Sequence, residues 1–160
     1  LIALHFATSG EDFTAMEAYD AVVWKIDIDE LNELLPENYK ELLVKEHAKL
    51  FTTEMLERVA KNTNEYDEAM KSDSMVLLEP FSSDQRIINQ YSYFSILPKE
   101  IANLEDFFEK NTCNTVKYIL DKSIKWYIRD MLDQCNINER TVYPGLDGIA
   151  MWLKRHYYVR

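Results

Sequence analysis

The spacing of apolar residues changes several times along the chain, and each change marks an element. Leu1-Ile2-Ala3-Leu4-His5-Phe6-Ala7 is a run of apolar helix formers that stops at Thr8-Ser9-Gly10. The stretch from there to Asp20 is polar and acidic and reads as a loop. From Ala21 to Ile28 apolar residues recur at every second position, so Val22, Trp24, Ile26 and Ile28 share one face of a predicted strand. Asp29 stands where a helix cap belongs, and Pro36 stops the short helix after it. Between Asn38 and Lys61 the period lengthens. Val44, Ala48, Phe51, Met55 and Val59 step by three or four along one helical stripe, which Thr52-Thr53 is placed to divide. Asn62 to Ser74 is polar and reads as a loop. Met75-Val76-Leu77-Leu78 is a short continuous apolar run, the pattern of a strand buried on both faces.

The second half continues in short elements. Asp84 is placed to cap a helical turn carrying Gln85 to Gln90. Tyr91 to Leu97 returns to strand spacing, Ile101 to Glu109 to helical spacing, and Val116 to Leu120 forms a further predicted strand. Ser123 is placed to cap a helix with Ile124, Tyr127, Ile128, Met131, Leu132 and Cys135 on its apolar face. Pro144-Gly145 makes a turn, and Asp147 is expected to cap a last helix from Gly148 to Tyr157. The sum is about four strands and about five or six helices, without regular alternation of strand and crossover helix. The expected class is therefore α+β, a small mixed or antiparallel sheet packed with helices, in one domain over residues 1–160.

Composition sharpens this picture. Hydrophobic residues make up 47% and aromatics 12% of the 160 residues, enough to build a globular core. The net charge of -10 disfavours nucleic acid and suits a basic protein partner. Lys154-Arg155-His156 with Arg160 is too small a basic cluster to offset it. No apolar run reaches the roughly 18 residues of a membrane helix, so no membrane association is expected. Two cysteines, Cys113 and Cys135, build neither a disulfide framework nor a Cys-rich zinc cluster. They point to a reducing cytoplasm, with each thiol expected as a small buried side chain. Three glycines exclude a Gly-x-Gly-x-x-Gly loop, and no Gly-Lys-Ser/Thr cradle occurs. His5, His47 and His156 stand apart in sequence, so no metal site is expected. His47 reads as a partly buried packing residue.

One constellation carries candidate chemistry. On a helical turn Arg86 and Gln90, four residues apart, share a face. A guanidinium and a carboxamide presented together suit recognition of a phosphate or an amide. The structural alternative is that Arg86 meets a surface carboxylate while Gln90 caps nearby backbone. Tyr91, Tyr93 and Phe94 would stack a base or, as their strand spacing favours, pack in the core.

Three segments resemble the FRG domain family. The first is Leu1-Ile2-Ala3-Leu4-His5-Phe6-Ala7, followed after a loop by Ala21-Val22-Val23-Trp24-Lys25-Ile26-Asp27. The second is Pro80-Phe81, then Arg86-Ile87-Ile88-Asn89-Gln90 and Phe94, similar to an Arg-Ile-x-x-Gln-x-Gly-x-Phe signature with Ser92 where the family has Gly. The third is Ile137 to Gly148, similar to a terminal Thr-Leu-Phe-Pro-Asp-Leu-Asp-Gly segment with Gly145 in place of Asp. The family's aromatic-Arg-Gly tripeptide is expected upstream of Leu1, so the domain reads as truncated at its N-terminus. The order of parts also resembles, more loosely, the ADP-ribosyltransferase fold. That resemblance implies a nucleotide ligand such as NAD, with Gln90 at the place of a catalytic Glu and Arg86, Gln90, Tyr91 and Phe94 as ligand-binding residues. It also implies a bacterial toxin or phage-defence effector, against the alternative of a non-catalytic interaction domain in a larger chain. Pro144, Asp147 and Gly148 are read as turn and cap architecture.

Overall fold

A computed structural model describes residues 1–10 and 13–157. In chain order the elements are α1 (Ile2–Ala7), α2 (Phe13–Met16), β1 (Ala21–Lys25), α3 (Ile28–Glu33), α4 (Glu37–Lys45), α5 (Thr53–Val59) and α6 (Thr63–Met70). They continue as β2 (Val76–Leu78), α7 (Gln85–Asn89), β3 (Phe94–Ile96), α8 (Leu104–Asn111), β4 (Val116–Leu120), a 3₁₀ turn at Lys122–Ile124, α9 (Lys125–Gln134), α10 (Glu139–Val142) and α11 (Leu146–Tyr157). The α+β class holds. The expected single sheet does not: the strands form two antiparallel pairs, β1 with β4 and β2 with β3.

The chain groups into two compact units, one of Leu1–Lys25, Ser82–Tyr91 and Lys117–Arg160, the other of Ile26–Phe81 and Ser92–Val116. The second unit holds the apolar core. Leu35, Tyr39, Leu42, Leu43, Phe51, Met55, Tyr66, Met70 and Val76 form one buried cluster, and each such side chain contributes about 1.5–3 kcal/mol by leaving water. β2 and β3 pair Val76 with Ile96, Leu77 with Ser95 and Leu78 with Phe94. Phe51 adds a parallel bridge beside Leu78, its N donating to Leu77 O at 3.0 Å.

Caps explain where the elements differ from expectation. Asp27, not Asp29, caps α3, its carboxylate accepting from Asp29 N and Glu30 N; the predicted strand therefore ends at Lys25. The Asn62–Ser74 stretch contains α6, capped by Asn62 accepting from Glu65 N at 3.0 Å. Its buried residues are Tyr66 and Met70, with Ala69 packed beside them, too sparse a set to signal a helix among polar neighbours. The helix expected from Asn38 to Lys61 breaks at His47, whose φ of 51° ends α4. There His47 N donates to Val44 O and Ala48 N to Leu43 O, a Schellman closure made without glycine. His47 is consequently exposed, not packed.

In the first unit, α2 occupies part of the expected loop before Asp20. β4 leads into α9, whose 3₁₀ entry is capped by Asp121, not by Ser123. The face of α9 is the largest correction. Lys125, Arg129 and Leu132 are buried, while Ile124, Tyr127 and Met131 of the expected core stripe are exposed. Polar satisfaction inside the unit decides this: Lys125 Nζ donates to Met16 O at 3.0 Å and Tyr19 O at 2.8 Å. Both cysteines are exposed, against their expected burial.

Candidate functional site: the Gln90 groove and a buried ion network

Asp84 starts α7 by accepting from Arg86 N at 2.7 Å. This fixes which side chains face α10. Asn89 Nδ2 donates to Thr141 O at 2.8 Å, and Gln90 Nε2 donates to Val142 O at 3.2 Å. The Arg86 guanidinium lies 5.4 Å from the centre of the Tyr143 ring, a cation–π distance. Arg86 and Gln90 do share a face, and that face docks α7 on α10.

The dock leaves a groove of about 780 Å³, lined by Ile2 and Phe6 of α1, by Asn89, Gln90 and Tyr91, and by Asn136. Gln90 lines it; Arg86 does not, standing one turn earlier over Tyr143. Tyr91 ends α7 with φ of 48° and its ring exposed. A left-handed conformation costs a bulky residue about 1–2 kcal/mol, and an exposed ring returns none of it through burial. Phe94 lies on β3 in the other unit, where it lines a cleft of about 400 Å³ with Tyr93, Ile26 and Leu50. Of the four expected ligand residues, then, Arg86, Gln90 and Tyr91 belong to one unit and Phe94 to the other.

The terminal segment differs in detail. α11 begins at Leu146, so Asp147 lies in its first turn and is not its cap. Asn138 caps an unexpected helix, α10, with Thr141 completing a capping box. Gly148 is buried, and a Cβ there would fall 1.9 Å from Tyr143 O and 2.5 Å from Glu139 O. Gly148 is thus the contact point of α11 on α10.

Behind this contact lies an ion network that the separated positions of its members hide in the sequence. Arg129 Nη2 donates to Glu139 Oε1 at 2.5 Å. Arg155 donates to Glu139 through Nε at 2.8 Å and Nη2 at 3.0 Å, and to Asp133 at 2.6 Å. Arg129 Nη1 also donates to His5 O at 2.8 Å and lies 3.0 Å from His5 Nδ1. His5, Arg129 and Glu139 are all buried. Burial pushes the Glu139 carboxyl up, but hydrogen bonds from Arg155 and the charge and hydrogen bond of Arg129 outweigh it and bring its pKa down to about 2. Burial, assisted by the Arg129 charge, lowers His5 from 6.5 to about 4. Arg155 is raised, its desolvation outweighed by Asp133 and Glu139. Arg129 sits among apolar helix neighbours, and the only available signal was its spacing of four from Lys125.

Among the described residues no helix is long and apolar enough to cross a membrane. Arg160 lies outside the described residues. No protein-family profile, curated protein or solved structure matches this chain.

Proposed function

We propose that the chain is an FRG-type nucleotide-binding module whose groove beside Gln90 takes the heterocycle of an NAD-like nucleotide. The observation that carries this reading is the groove's lining: carboxamides of Asn89, Gln90 and Asn136 against the apolar wall of Ile2 and Phe6. Ligand sites are concave and largely apolar with a few fixed polar groups. Neutral amides match the donor and acceptor edge of a nucleobase or of nicotinamide. Hydrogen bonds to α10 hold Asn89 and Gln90 in place, so ordering them costs the ligand little. Arg86, exposed one turn earlier, is the group a phosphate beyond the groove would meet. Gln90 is neutral and takes no proton at pH 7, which favours binding over ADP-ribosyl transfer.

The test is a thermal unfolding series with NAD, nicotinamide and adenosine. NAD at 100 times its Kd adds about 2.7 kcal/mol of stability. Arg86→Ala is expected to weaken NAD and leave nicotinamide unchanged. Tyr91→Gly is expected to stabilise the free protein by about 1 kcal/mol, by relieving its positive φ, and to weaken the ligand. No shift with any of the three compounds defeats the reading.

A second reading, a protein-interaction domain, is favoured by the outward stripe of Ile124, Tyr127 and Met131. A basic partner captured equally well by the Arg86→Ala and Gln90→Ala variants supports it against the first.

A further inference from the structure

A second cleft in the same unit, of about 430 Å³, is lined by His5, Ser9, Arg129, Glu139, Lys154 and Arg155 among others. Two of the residues that line it, His5 and Arg129, each carry a buried hydrogen-bond donor with no acceptor. The Arg129 guanidinium only donates, so the His5 Nδ1 it faces at 3.0 Å is the accepting nitrogen. The hydrogen of the neutral imidazole therefore sits on Nε2. That Nε2 is buried without a partner, and so is Arg129 Nε. His5 is 0% and Arg129 2% exposed, so bulk water does not supply the acceptors. A buried donor left unpaired is costly, and native interiors rarely leave one so.

The charged side chains that line the cleft are mostly cations. Arg129, Arg155 and Lys154 line it as cations, while Glu139 and the adjoining Asp133 supply two carboxylates. Among the described residues this leaves one surplus positive charge beside two idle donors, within a chain of net charge -10. Excess donors and excess positive charge in a concave site call for an acceptor-rich anion.

We propose that this cleft binds a small oxyanion, a phosphate or carboxylate group, with His5 Nε2 and Arg129 Nε as its inner donors and Lys154 at its mouth. The site is separate from the Gln90 groove, and its residues are not those of the nucleotide proposal. Lys154 and Met151 are exposed side chains lining the cleft, and the covered donors require the cleft to open before an anion reaches them.

The experiment uses the full chain and inorganic phosphate, against sodium chloride of equal ionic strength. Phosphate near ten times its Kd is expected to raise Tm by about 5 °C, and to shift the His5 Nε2 resonance in nitrogen-15 NMR. Lys154→Met, a change at an exposed position, is expected to weaken phosphate about tenfold. Acetate and a phosphomonoester separate the sources: a response to acetate marks a carboxylate-tolerant site, and a tighter phosphomonoester marks the phosphoryl end of a larger ligand. No response to phosphate or acetate overturns the proposal. So does a Tm rise that survives Lys154→Met undiminished and leaves the His5 resonance unmoved. Neither outcome bears on NAD at the Gln90 groove, which Arg86→Ala and nicotinamide report separately.

Discussion

Tyr39 and Tyr66 lie in the same buried cluster, and their hydroxyls have opposite surroundings. Tyr66 Oη donates to Ile96 O at 2.6 Å and accepts from Val76 N at 3.2 Å, joining α6 to both strands of the β2–β3 pair. Tyr39 Oη is buried with no partner. Burial raises the pKa of both phenols, so each stays protonated across the neutral range. Removing a satisfied hydroxyl orphans what it served, whereas removing an unsatisfied one relieves a desolvation penalty. Tyr66→Phe is therefore expected to destabilise by about 1–2 kcal/mol, and Tyr39→Phe to be neutral or to stabilise by about 1 kcal/mol. Urea midpoints of the two variants decide it; equal losses would mean that Tyr39 Oη has an acceptor after all. Neither role was legible in the sequence. Tyr66 falls in a run of Asn, Thr, Glu and Asp that reads as a loop, and Tyr39 falls outside the Val44–Val59 stripe. Hydrogen-bond partners thirty residues distant, such as Ile96, leave no local pattern.

Helix ends, at the next scale, are where sequence patterns fail most. With three glycines in the chain, α4, α7 and α9 close instead on His47, Tyr91 and Asn136, each at positive φ. Nothing marks His47 or Tyr91 as a terminator, since Gly and, less often, Asn are the usual signals; of the three only Asn136 is of a type that announces a helix end. N-termini were more legible: Asp84 caps α7 as expected, and Asp27 and Asp121 cap two residues before the predicted positions, whereas Asn62 and Asn138 cap helices that were not expected. The apolar stripe of α9 was legible too, but which face is buried was not, because burial is won by Lys125 and Arg129 through backbone, His5 and Glu139 acceptors. The α10–α11 contact depends on one position. Gly148→Ala places a methyl inside the radius of two fixed carbonyls, Tyr143 O and Glu139 O. Backbone oxygens yield less readily than a side-chain tip, so the helices must separate, and a loss of about 3 kcal/mol or more is expected in chemical denaturation. Because Arg155 of α11 bonds Glu139 of α10, the same variant is expected to loosen the ion network. Full retention of stability would show that α11 does not seat on α10 at this glycine.

For the molecule as a whole, the α+β class and the four strands were legible from periodicity, while their division into two pairs was not: strand spacing carries no information about partners. The two units are also held by different chemistry, which pH can separate. One unit packs an apolar cluster, and the other buries His5 and Glu139 in a network of charges. Above pH 6.5 His5 is neutral folded or unfolded. As pH falls from 6.5 towards about 4, the unfolded chain takes up a proton that the folded site refuses, so stability drains through that window. Glu139 acts in the same direction lower down. Its stabilisation is complete above its ordinary 4.5 and is lost as pH falls from there through about 2. Acid is therefore expected to open the His5–Glu139 unit before the apolar one. The chain carries its own reporters, because all three tryptophans, Trp24, Trp126 and Trp152, lie in that unit, while helices of both units contribute to far-ultraviolet circular dichroism. In an acid titration the tryptophan fluorescence change is expected at a higher pH midpoint than the loss of helical signal. Coincident midpoints would mean that the units unfold as one, and a helical signal lost first would mean that the buried charges are not the acid-sensitive part.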